Sequence, residues 1–125
     1  MTDFFLDAHA IWQYVVLAAV IVSLFFAFQK EMTPTAERVY RLSAVAIDIQ
    51  VALGIVVWLF NSGWSLGFLQ GWIHPILALA AVGVVHAVVG QARQLEPGAA
   101  NRRVRTGFIV VVLLVVATIG VAEMA

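Results

Sequence analysis

Every lysine and arginine of this chain falls in one of two short stretches. Lys30, Arg38 and Arg41 occupy the first; Arg93, Arg102, Arg103 and Arg105 occupy the second. Between and around them run four long apolar segments. Only 11% of the 125 residues are charged and 63% are hydrophobic, whereas a soluble domain has about a quarter of its residues charged. A mean hydropathy of +1.01 points the same way. There is too little charge to clothe a surface in water, so the solvent for most of this chain is lipid. Lipid in turn restricts the backbone: every N–H and C=O must be paired within its own segment, and a helix does that.

A spanning helix needs about 20 apolar residues. Four runs qualify, at about 8–28, 42–60, 72–92 and 106–122. None alternates with period two, so strands are not expected. The links are short. Residues 30–41 hold Pro34, 94–101 hold the turn pair Pro97–Gly98, and 61–71 form a chargeless loop containing Trp64 and Phe68. Short links between successive spans make them antiparallel neighbours. The expected fold is a single all-α domain, an integral membrane up-down-up-down four-helix bundle. The first run is read as a retained span and not as a signal peptide, because Asp3 and Asp7 stand where a leader carries Lys or Arg.

The positive-inside rule sets the orientation. Loops 30–41 and 93–105 are expected in the cytoplasm, with both termini on the opposite side. Trp12, Trp58, Trp64 and Trp72 are expected at the outer boundary as an aromatic belt. Cysteine is absent, which removes thiolate catalysis, iron–sulfur clusters and c-type haem attachment. No HExxH spacing marks a zinc site, no catalytic constellation appears, and no basic surface suits nucleic acid.

Ionisable groups within a span are costly and therefore functional suspects. They are His9, Asp48, His74 and His86. His9 opens the first run and His74 the third, so both are expected near the outer face. First and third helices of such a bundle lie diagonally, which would let two imidazoles enter the core at one depth as axial ligands of haem iron. Pro75 fits the first turn of a helix and would place His74 at its cap. Both histidines could equally meet water and headgroups. Asp48 and His86 lie at matching depth near the inner end, on antiparallel neighbours. They are expected to pair, either as a buried polar contact that fixes helix register or as a proton relay. Gln13, Ser23, Gln50, Gly54 and Thr118 are read as helix-packing positions.

At these residues the chain resembles a family of small four-span bacterial membrane proteins labelled cytochrome b-like. In that family the first helix opens with His followed four residues later by Arg. The second carries His-x-Gln followed by Gly, and the third opens with Glu-His. This chain matches at His9, at Gln50 with Gly54, and at His74. It departs at Gln13, Asp48 and Ile73, which stand where the family has Arg, His and Glu. The resemblance implies a haem b held by His9 and His74 in a bacterial inner membrane, with electrons passed to quinone or to other membrane subunits. An electron carrier of this kind is not an enzyme in its own right. The alternative reading is a cofactor-free accessory subunit packed into a larger membrane assembly.

Overall fold

The computed structural model describes residues 2–124. Among them are four long helices and no strand: α1 Thr2–Ala27, α2 Pro34–Phe60, α3 His74–Ala92 and α4 Pro97–Met124. A π turn at Leu69–Ile73 leads directly into α3, and a 3-10 turn at Gly63–Ser65 lies in the link before it. All four helices are long and apolar enough to cross a membrane, the third counted from Leu69. Each packs on its neighbours in sequence, and α1 closes the ring against α4. The result is the expected bundle, with α1 diagonal to α3. Large apolar side chains such as Ile11, Phe25, Leu42, Leu59 and Leu113 cover the outside, a surface matched to hydrocarbon.

The helices are longer than the apolar runs. α2 begins at Pro34 instead of about 42, and α4 at Pro97 instead of about 106. The expected basic loops 30–41 and 93–105 are therefore mostly helical, and the true links are 28–33 and 93–96. The reason is that arginine is a good helix former, so a helix continues past the hydrocarbon wherever a cap is available. Thr33 supplies one: its Oγ1 accepts the N–H of Ala36 at 3.0 Å, with Pro34 in the first turn.

The basic end of the bundle is tightly packed. Val20, Tyr40, Val85, Val88, Val104 and Phe108 are essentially sealed from solvent. Gly107 of α4 lies flat against Val88, where a Cβ would overlap that side chain. Asn101 of α4 joins three elements. It accepts from the Tyr40 hydroxyl at 2.5 Å and donates to the carbonyls of Phe26 and Gln29 at 3.0 and 2.8 Å. Arg105 donates to the carbonyl of Ala27 at 3.0 Å. The last turn of α1 contains no basic residue, so α4 supplies the donors that its orphan carbonyls need. Ser23 and Ser43 clasp α1 to α2 at 2.5 Å, and Ser43 also donates to the Ala19 carbonyl at 2.9 Å. At the end that holds both termini, the packing opens into a cavity.

Candidate functional site

That cavity has a volume of about 700 Å³ and is lined from all four helices. Ligand pockets commonly measure about 300–1,000 Å³. Its walls are mostly apolar. The polar groups facing it are His9, Gln13, Gln50, Gln70, His74 and Thr118, with Glu123 as the one charged group among the described lining residues.

His9 does not open its helix. α1 starts at Thr2, which puts His9 about 10 Å along the axis. The aspartates that precede it lie in the same helix, with Asp3 in the first turn, where the positive helix end favours a carboxylate. Two residues of α2, one turn apart, hold His9 in place. The Gln50 carboxamide donates through Nε2 to the His9 carbonyl at 2.8 Å. Gly54 lies against the imidazole: a Cβ there would stand 3.0 Å from Cε1. Gln50 and Gly54 thus pack α2 on α1 at His9, as expected of them, Gln50 through a hydrogen bond and Gly54 through close approach. The Nδ1 of His9 and the Oε1 of Gln50 are both buried without a hydrogen-bond partner.

His74 is not at an open helix cap either. The π turn precedes it, and its backbone N–H already bonds to the Leu69 carbonyl. Pro75 explains the distortion. Proline brings no N–H, so the Gly71 carbonyl loses its partner four residues on. The indole of Trp58 takes that place, donating to Gly71 O at 2.8 Å. Further along, the Nδ1 of His74 lies 2.9 Å from the backbone carbonyl of Thr118 in α4. A carbonyl only accepts, so Nδ1 carries the proton and Nε2 is free. Thr118 was expected to pack and nothing more. Its role went unread because the interacting atom is main chain, which any residue carries.

As expected from the diagonal arrangement, the two imidazoles meet in the core. Their centroids are 6.2 Å apart and their planes stand at 88°. Trp58, Trp64 and Trp72 cluster at the same end, with centroids 5.3 and 5.8 Å from Trp58. Trp12 does not join them. It donates through its indole to the Ala46 carbonyl at 2.8 Å, near the middle of α2. A partner for its one polar group makes that depth acceptable.

Asp48 and His86 do meet, as their matching depths suggested. His86 Nε2 lies 2.8 and 2.9 Å from the two carboxylate oxygens. The expected burial is corrected, however: the side chains are 43% and 52% exposed, on the outer flank between α2 and α3. They face outward because Gln50, nearly opposite Asp48 on α2, takes the inward position. Neither lines the cavity. Among the described residues no third His, Asp or Glu joins either pair. No family model, curated protein or solved structure matches this chain.

Proposed function

We propose that this chain is a b-type haem protein of a membrane electron-transfer system, in which His9 and His74 would hold the haem iron. One observation carries the reading. Two imidazoles from diagonal helices have ring centroids 6.2 Å apart at one cavity, and that of His74 is set by its neighbour to offer Nε2. Thr118 orients His74 through its carbonyl; Gln50 and Gly54 orient His9. Such outer partners fix the tautomer and raise the basicity of a ligating histidine. Two protein ligands with no third nearby suit a metal that arrives with its own equatorial ligands, as in a porphyrin. Haem held this way supplies one-electron chemistry. No Lys or Arg among the described residues lines the cavity, so none of its lining residues would pair with the propionates.

The positive-inside rule places the basic end in the cytoplasm and the haem in the outer half of a bacterial inner membrane. Electrons then pass to quinone or to a redox subunit alongside. The test is a reduced-minus-oxidised spectrum of the protein purified in mild detergent. A b-type band is expected; His9→Ala and His74→Ala each abolish it, and His86→Ala retains it. A protein that lacks the band even after haem is supplied overturns the reading in favour of a cofactor-free accessory subunit.

A further inference from the structure

The cavity is open on its α2–α3 side. Asp48 of α2 and His86 of α3 meet across that gap, with His86 Nε2 2.8 Å from a carboxylate oxygen. Two helical turns from Asp48, toward the cavity end, Ile55 lies on the same stripe of α2, and Leu59 follows one turn on. On α3, Leu79 and Ile76 continue the His86 stripe in the same direction. All four of these side chains line the cavity, and all four are between 50% and 56% exposed. A half-exposed side chain on a flank stripe that also lines the cavity stands at an opening. The gap is therefore a window, with the Asp48–His86 pair at its foot and the link from α2 to α3 at its head. That link adds Leu66, Gln70 and Trp72 to the cavity lining.

The window lies at membrane depth. Its four side chains fall inside the apolar spans Pro34–Phe60 and Leu69–Ala92, so it faces hydrocarbon and not water. Charge narrows what can enter. No Lys or Arg lines the cavity among the described residues, and the one carboxylate, Glu123, stands on α4 and not at the window. An ionised head group would meet no counter-charge there, and a buried unpaired charge is costly. The polar group that the link supplies is the carboxamide of Gln70. A carboxamide both donates and accepts, which suits a carbonyl or hydroxyl oxygen.

We infer that this window admits an uncharged amphiphile from the lipid, its polar head held at Gln70 and its apolar tail left between Ile55, Leu59, Ile76 and Leu79. The haem reading makes that amphiphile the quinone, and this one identification rests on it. The window itself does not.

The test is thermal melting of the helix signal in mild detergent with a decyl-tailed benzoquinone added. A molecule that binds only the folded chain raises the melting temperature. A saturable rise is expected, and none with the same ring lacking its tail. Gln70→Leu, which removes the hydrogen bond, and Ile55→Phe/Leu79→Phe, which fills the window, are each expected to raise the half-saturating concentration about tenfold. Leu113→Phe, on the exposed face of α4, leaves it unchanged. No rise with the decyl quinone overturns the proposal. So does an equal rise with the tail-less ring, or a half-saturating concentration that neither window variant moves. A difference spectrum of the same samples separates the two readings. A saturable rise without a b-type band supports the window and removes the haem; a band without a rise does the reverse.

Discussion

Gln50 and Gly54 act on His9 from a single face of α2, one through its carboxamide and one by lacking a side chain. Gln50 ties the His9 main chain and Gly54 leaves room for its ring, so both act on where the imidazole stands. Removing an outer partner of a ligating histidine commonly costs 10–100-fold in affinity, by order of magnitude. If the protein holds haem as proposed, Gln50→Leu is expected to weaken its binding about tenfold or more in a titration followed at the Soret band, while its helix content stays that of the parent. An unchanged binding curve would reduce Gln50 to a packing residue. Gly54 sets a steric limit as well. Even a methyl group reaches His9 at 3.0 Å, so Gly54→Val is expected to displace the ring and lose the band.

At the scale of elements, Pro75 and Trp58 are two halves of one local exchange. The proline leaves the Gly71 carbonyl without its helical partner, and the indole of Trp58 fills it. Gly71 itself is packed so closely on Gly63 that a Cβ would overlap the Gly63 carbonyl. Trp58→Phe leaves that carbonyl unpaired and is expected to cost about 1–3 kcal/mol, measured by denaturation in detergent. In a Pro75→Ala background the new N–H supplies the carbonyl, so the same substitution costs clearly less. Strict additivity of the two changes would show that the coupling is absent. The turn matters because it sets the register in which His74 enters the core.

Across the whole molecule the two ends do different work. The basic end is dense and cross-tied by Asn101, Arg105 and the Ser23–Ser43 clasp; the other end is hollow. Asn101→Leu strands the Tyr40 hydroxyl and the Gln29 carbonyl and removes one of two donors to the Phe26 carbonyl, and is expected to destabilise the bundle by about 2–3 kcal/mol. Its haem spectrum should match the parent's wherever the bundle remains folded, because no residue of this hub touches the cavity. A shifted spectrum in the folded variant would show that the two ends are mechanically linked.

The apolar runs and the segregation of charge were enough to determine four helices, their antiparallel order and the diagonal relation of α1 to α3. The physical reason is that lipid leaves the backbone one economical solution for each segment. Counting residues also brought Asp48 to His86 and His9 to His74, since depth along a helix is linear in sequence. Rotation about the helix axis was not legible in the same way. It decided that Asp48 and His86 face outward, that Trp12 turns its indole to Ala46, and that Thr118 lends its main-chain carbonyl to His74. Rotation is set by many small packing contacts summed over four neighbours, such as Gly107 on Val88. The helix ends likewise followed caps and not hydropathy, because arginines beyond the hydrocarbon do not oppose a helix. Which residues stand at a given depth belongs to the sequence; which of them share a cavity was settled only by tertiary packing.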